Sequence, residues 1–281
     1  MTTPRISASS YSNTAPLVWS FLYGREHGRV EIILDNAPAR SAELLAQDRV
    51  DAALVPVIAY QLLDGVKLIP DVCVGAKEKV RSVCLVTKGE DLDQVKSVAL
   101  DVSSRTSVVL TKIIFREFIG HEPVYRDAAP DIDAMLSGAD AALIIGDPAL
   151  SLRGEGGGMK DEIRADGSSL ISHPSCLRVF DLANLWHQHT SLGFIFAMWM
   201  TLRDKIDIDF AASRDEGLAH IDDIAANYSS QIALSRDEMR TYLTENISFA
   251  PDDSMKKGME LYFKLAQKNG LLIENKPLLF T

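Results

Sequence analysis

Short apolar runs, each ending in a polar turn and followed by a stretch of helical period, recur through the first half of the chain. Arg5–Ser9 reads as a strand, and the turn Ser10–Thr14 follows it. Leu17, Val18, Phe21 and Leu22 then recur at helical spacing behind Pro16, which fits a first helical turn because its missing N–H has no intrahelical partner to lose. Val30–Leu34 reads as a second strand ending at Asp35-Asn36, with a helix over Ala39–Asp48 opened by Pro38. Asp51–Val55 reads as a third strand, with Pro56-Val57 turning into a short helix near Ile58–Leu63. Strand–turn–helix units in this density predict a mostly parallel sheet with helices on its faces.

Val66–Val74 and Val80–Thr87 read as strands leading out of this first series. After the polar break Lys88–Asp91 a second series begins, and its first unit, Leu100–Phe115, carries the strongest single signal. A buried strand ends at Asp101, Ser103-Ser104-Arg105 forms a polar turn, and Val108, Val109, Leu110, Ile113, Ile114 and Phe115 mark an amphipathic helix reaching Ile119. A hydroxyl-rich turn at a helix N-terminus offers free N–H groups, side-chain donors and the positive end of the helix dipole together, which is a site for an anion as well as an ordinary cap. A strand at Pro123–Tyr125, a helix over Pro130–Leu136 and a strand Ala141–Ile145 ending in Gly146-Asp147 complete the second series. The Gly-rich 154–158 run reads as a surface insertion, because no strand precedes it and no helix pattern follows. A helix from Asp181 to Thr190, an apolar strand Phe194–Leu202 and three helical pieces starting near Ser213, Ser235 and Pro251 finish the chain.

Two such series predict an α/β protein of two lobes. Residues 1–88 with 193–281 form a discontinuous first lobe carrying the C-terminal helices, and 89–192 form an inserted second lobe. Ligands of open parallel sheets bind beyond the carboxyl ends of the strands, so the site is expected in the cleft between lobes. Strand ends place Ser10, Tyr11, Asn13, Thr14, Asn36, Pro56, Val57 and the Arg81-Ser82 segment there from the first lobe. From the second come Ser103, Ser104, Thr106, Ser107, Gly146 and Asp147. Hydroxyls, amides and backbone N–H groups dominate this set, a chemistry suited to a small carboxylated ligand.

Composition narrows the classes. The 281 residues are 47% hydrophobic and 24% charged with a net charge of −10, enough for real cores and without a basic cluster for nucleic acid or an anionic membrane. Cys73, Cys84 and Cys176 are odd in number and widely spaced, so neither a disulfide framework nor a zinc knuckle is expected. The N-terminus has no apolar h-region and no window is long enough to span a bilayer, from which a cytoplasmic location and no membrane partner are expected. His27, His121, His173, His187, His189 and His220 lie outside the strand-end turns, and no GxSxG, GxGxxG or Walker sequence occurs, so neither a metal, a serine hydrolase nor a nucleotide cofactor is expected. Asp101 and Asp147 are the carboxylates at strand ends of the second lobe, suited to capping or to acting as a base. The residues alone leave binding protein and enzyme open, and leave oligomeric state unassigned.

The blocks SYSNTAPLVWSF (10–21), DAALVPVIAY (51–60), LDVSSRTSVVLTKIIF (100–115), ALIIGDPAL (142–150) and DLANLWHQHTSLGFIFAMW (181–199) resemble, in the same order, the chorismate dehydratase family of the futalosine route to menaquinone. The resemblance implies a type-II periplasmic-binding-protein fold and a lyase, without cofactor, that converts the dicarboxylate chorismate to 3-[(1-carboxyvinyl)oxy]benzoate. It implies essential roles for Asn13 and Ser82, a carboxylate grip by Ser103, Ser104, Thr106 and Ser107, and a wall from Gly146 and Asp147. Arg105 is expected at the surface. The base is either Asp147 or the substrate's own enolpyruvyl carboxylate. Gly193 stands where relatives often carry proline. Two other readings stay open: the sister enzyme of the same route, 1,4-dihydroxy-6-naphthoate synthase, and a non-catalytic cytoplasmic binding protein for a small carboxylate.

Overall fold

A computed structural model describes residues 3–152, 177–232 and 234–281. The Gly-rich 154–158 run, His173 and Cys176 lie outside them. Ten strands among the described residues form two five-stranded sheets. The first contains β1 (Arg5–Ser9), β2 (Glu31–Asp35), β3 (Ala52–Pro56), β4 (Lys67–Ala76) and β10 (Phe194–Thr201), in the order β2-β1-β3-β10-β4. The second contains β5 (Val83–Thr87), β6 (Ser97–Asp101), β7 (Val124–Ala128), β8 (Ala141–Ile145) and β9 (Arg178–Asp181), in the order β7-β6-β8-β5-β9. β2, β1 and β3 run parallel, as do β7, β6 and β8. β10 is antiparallel to both β3 and β4, and β5 is antiparallel to both β8 and β9, so each sheet is mixed. The parallel expectation holds for the strand–turn–helix units and fails for the strand that enters each sheet from the other lobe.

Strands buried on both faces read as unbroken apolar runs. β3 (AALVP), β5 (VCLVT) and β8 (AALII) are buried throughout. Helices α1 (Ala15–Tyr23), α2 (Pro38–Ala46) and α3 (Ala59–Leu62) follow β1, β2 and β3, and α1 and α2 begin with proline in their first turn. In the second lobe α4 (Thr106–Ile113) continues into a π-helical turn over Ile114–Ile119, and α5 (Ile132–Gly138) and α6 (Asp147–Leu150) follow β7 and β8. After α7 (Leu182–Thr190) and β10, the chain ends in α8 (Phe210–Ala219), α9 (Ile221–Ile232), α10 (Arg236–Thr241), a π-helical turn Tyr242–Asn246, and α11 (Asp253–Lys268). Ser235 caps α10 in a capping box with Glu238.

The lobe boundary corrects one expectation. β5, placed in the first lobe by the 1–88 division, pairs with β8 and β9 of the second sheet. The polar Lys88–Asp91 break, expected to separate the two series, is a turn inside the second lobe, closed by Thr87 Oγ1 donating to the Glu90 carbonyl at 2.7 Å. The first crossing therefore precedes Val83. Asp181 pins it, one carboxylate oxygen accepting from the N–H groups of Val80 and Arg81 at 2.9 and 2.7 Å while the other caps α7 at Asn184. Arg81 holds a left-handed φ of 62° there, a conformation unfavourable for a side chain and tolerated where surrounding bonds fix it.

The return crossing explains Gly193. Its N–H donates to Ser254 Oγ at 3.0 Å, a bond proline could not make, and an added Cβ would lie 2.6 Å from Met255 Cγ.

Candidate active site

The carboxyl ends of β1, β3, β6 and β8 meet at a cavity of about 70 Å³ between the lobes. The first lobe lines it with Ser9, Tyr11, Asn13, Thr14, Pro38, Leu54, Pro56, Val74, Phe196 and Ala197, and the second with Val83, Ser104, Thr106, Ser107, Ile145 and Gly146. Small-molecule sites commonly measure about 300–1,000 Å³, so the lobes are drawn together here and must part to admit a ligand of that size.

Hydrogen bonds across the cleft hold this arrangement. The Asp147 carboxylate of the second lobe accepts from the Ser12 N–H at 3.1 and 3.2 Å and from Ser12 Oγ at 2.5 Å. Thr106 Oγ1 donates to the Phe196 carbonyl at 3.2 Å and receives the Ile58 N–H at 3.4 Å. Tyr262 on α11 donates to the Thr106 carbonyl at 3.0 Å. Gly146 lies under the Tyr11 ring at φ 68°, where an added Cβ would sit 2.8 Å from Tyr11 Cε2 and Cζ. Arg105, expected at the surface, is partly exposed and reaches Glu43 of α2 at 3.6 Å, an exposed pair that contributes little.

Of the residues read from the sequence, Tyr11, Asn13, Thr14, Pro56, Ser104, Thr106, Ser107 and Gly146 line the cavity. The others take different places. Ser10 Oγ bonds Asn36 Oδ1 at 3.0 Å on the exposed rim. Val57 is buried beneath the site with its N–H on the Phe196 carbonyl at 2.9 Å. Ser103 turns back to Asp101, giving Oδ1 both its N–H at 2.8 Å and its Oγ–H at 2.6 Å. Ser82 is fully buried behind the cavity, its hydroxyl reaching only the Val80 carbonyl at 3.5 Å. Asp147 serves the inter-lobe bond.

Of the four residues expected to grip a carboxylate, three have their hydroxyls engaged within the protein. Ser104 Oγ accepts the Ser107 N–H at 3.2 Å as a cap, and the hydroxyls of Thr106 and Ser103 are engaged as described. The Ser107 hydroxyl has no such engagement among the described residues, and Ser107 lines the cavity at the N-terminal turn of α4. Among the described residues no Lys, Arg, His, Asp or Glu lines it, so an anion there meets neutral donors and the helix dipole, opposed by the negative potential that Asp101 and Asp147 place on the lining Tyr11. Among the described residues no group of three or more His, Cys, Asp or Glu side chains could hold a metal, and no helix is long and apolar enough to cross a membrane.

Burial dominates the titration of the carboxylates around this cavity. Desolvation pushes Asp101, Asp147 and Asp181 above the ordinary carboxylate value, with the hydrogen bonds from Ser103, Ser12 and the Arg81 backbone pulling the other way. Asp101 Oδ2 is buried with no hydrogen-bond partner among the described residues. Desolvation likewise raises the Tyr11 phenol, with the Ser103 side chain opposing it.

Sequence reasoning missed Ser12, Tyr242 and the apolar wall of Leu54, Val74, Val83, Ile145 and Phe196. Ser12 sits inside a block already singled out, but nothing local pairs it with a residue 135 positions away. Tyr242 is one apolar position in a helical stretch; only the packed chain brings it close to Asn13 and Ser82. The wall residues read as ordinary strand core.

Residues 4–268 match the family model described as menaquinone biosynthesis. Over 223 residues the chain is 32% identical to the chorismate dehydratase of Thermus thermophilus, covering 76% of this chain and 78% of that one. Its fold is similar to that of a protein from Archaeoglobus fulgidus (TM-score 0.67, 16% identity, 95% and 98% of the two chains covered). It is also similar to the periplasmic aliphatic sulphonate binding protein of Escherichia coli (TM-score 0.60, 15% identity, 99% and 93% covered). At such identities these structures speak to the fold alone: two α/β lobes of the periplasmic-binding-protein type.

Proposed function

The chain belongs to the menaquinone biosynthesis family, and on that premise we propose that it is a lyase converting chorismate to 3-[(1-carboxyvinyl)oxy]benzoate in the futalosine-dependent route. The observation that carries this reading is a cleft with uncharged donors on both walls, Asn13 on one and the N-terminal turn of α4 on the other, in a chain 32% identical to a chorismate dehydratase. Such a cleft suits a ring bearing two carboxylates. The α4 turn with Ser107 grips one of them, and the Asn13 amide holds the leaving hydroxyl or the other carboxylate.

Dehydration needs a proton removed from the carbon bearing the enolpyruvyl ether and hydroxide lost from its neighbour. Among the described residues no Asp, Glu, His or Lys lines the cavity, and Asp147 spends both oxygens on Ser12. That supports the substrate's own enolpyruvyl carboxylate as the base. The electron pair spreads through the diene into the ring carboxylate, where the α4 dipole favours it. Hydroxide then departs, and the proton and hydroxide together make one water. The protein contributes orientation and electrostatic stabilisation. The free, buried thiols of Cys73 and Cys84 agree with a reducing, cytoplasmic setting.

Incubating the purified protein with chorismate and following ultraviolet absorbance tests the reading. Loss of the diene and appearance of an aromatic enolpyruvyl ether is the expected result. Tight binding with chorismate unchanged would instead make the chain a binding protein.

A further inference from the structure

Tyr242 opens the π-helical turn after α10, and its side chain is completely buried. Among the described residues its hydroxyl makes no hydrogen bond of full geometry. An unpartnered buried hydroxyl is unfavourable, and phenylalanine would fill the same space without that cost. π-helical turns recur at functional sites because they re-aim a side chain that a regular helix would turn elsewhere.

The surroundings of the hydroxyl are specific. The side chains of Ser82 and Asn13 both face it closely enough to oppose the effect of burial on its ionisation, and Asp147 adds negative potential nearby. Neither neighbour is strongly engaged. Ser82 Oγ makes only its 3.5 Å contact to the Val80 carbonyl, and Asn13 Oδ1 receives only Thr14 Oγ1 at 3.3 Å. Three polar side chains from distant parts of the chain thus lie close together with spare hydrogen-bonding capacity, and Asn13 among them lines the cavity. An amide that accepts through its oxygen from behind is fixed with its N–H₂ group forward.

We propose that Tyr242 is a positioning residue: with substrate in the closed cleft its O–H donates to Asn13 Oδ1 and its oxygen accepts from the Ser82 hydroxyl, holding the Asn13 amide N–H₂ toward the reacting ring. This deepens the dehydratase reading and rests on it. It also gives Ser82, which does not line the cavity, a route to the chemistry through Tyr242.

Tyr242→Phe tests it, with kcat, KM and Tm measured on chorismate beside the wild type and in the Asn13→Ala background. Because the hydroxyl makes no hydrogen bond of full geometry to the described residues, its removal is expected to leave Tm close to or above the wild-type value. Turnover is expected to fall about ten- to a hundredfold, with KM changed by less than about threefold. In the Asn13→Ala background the same change is expected to have no further effect, since the amide it positions is gone. Wild-type kcat in Tyr242→Phe, or a loss that recurs undiminished without Asn13, overturns the positioning role. A fall in kcat that merely tracks a fall in Tm overturns it too. If the wild type itself leaves chorismate unchanged, the dehydratase reading fails, and the proposal with it.

Discussion

Asp147 is where two roles separate most cleanly. As a base, its replacement by asparagine lowers kcat and leaves binding intact. As the inter-lobe latch seen here, its replacement weakens closure. Hydrogen bonds to a charged acceptor are each worth about 1.5–3 kcal/mol. Asparagine keeps one acceptor for Ser12 and presents N–H₂ where the second oxygen met the Ser12 N–H. Losing about one such bond corresponds to a tenfold to 150-fold change in the closed-to-open ratio at about 1.4 kcal/mol per decade. Burial already pushes the Asp147 carboxyl up, which offsets part of the gain from the ionised form, so roughly ten- to thirtyfold is expected. Substrate enters when the lobes part and is held when they close on it, so where closure over bound substrate becomes the minor state, apparent affinity falls with its population. Asp147→Asn is therefore expected to raise KM for chorismate by up to that factor, keep kcat within about tenfold, and expand the ligand-free protein in small-angle scattering. A fall in kcat beyond about a hundredfold at unchanged KM and unchanged scattering would refute the latch and make Asp147 the base.

Two further outcomes follow from groups beside the cleft. Burial raises the Asp101 carboxyl above its unfolded value, so the stability tied to its protonation is complete below that unfolded value and is lost as pH rises through the raised one. Asparagine does not titrate, so the Tm of Asp101→Asn minus that of the wild type is expected to grow with pH across that window and then level off in a fluorescence melt series; a pH-independent difference would remove ionisation from the explanation. Gly146→Ala places a methyl 2.8 Å from the Tyr11 ring at φ 68°, and strain of about 1–3 kcal/mol should lower Tm by several degrees. Pairing it with Tyr11→Ala should recover part of the loss in the same melts, since the steric part disappears and the backbone part stays; an unperturbed Gly146→Ala would contradict the closed contact.

The sequence by itself determined the units and their order. Period-two and period-3.6 apolar patterns are local, and they located β1, β3, β6, β8 and the helices behind them, because a strand buried on both faces and a helix buried on one must be written in consecutive residues. Sequence also determined the chemistry of the cleft, since strand-end turns such as Ser10–Thr14 and Ser103–Ser107 carry their hydroxyls wherever the lobes come to sit. The lobe assignment of β5 was decided only in three dimensions, because its apolar run suits either sheet and the polar turn after it looks like a linker. The division of labour among the polar groups was decided there as well. Ser104 became a cap, Ser103 a partner of Asp101, Thr106 and Asp147 bridges between lobes, and Tyr242 a buried hydroxyl close to Asn13. A hydroxyl's partner depends on what lies within about 3 Å of it, and for Thr106 and Asp147 that neighbour is 90 and 135 residues away along the chain.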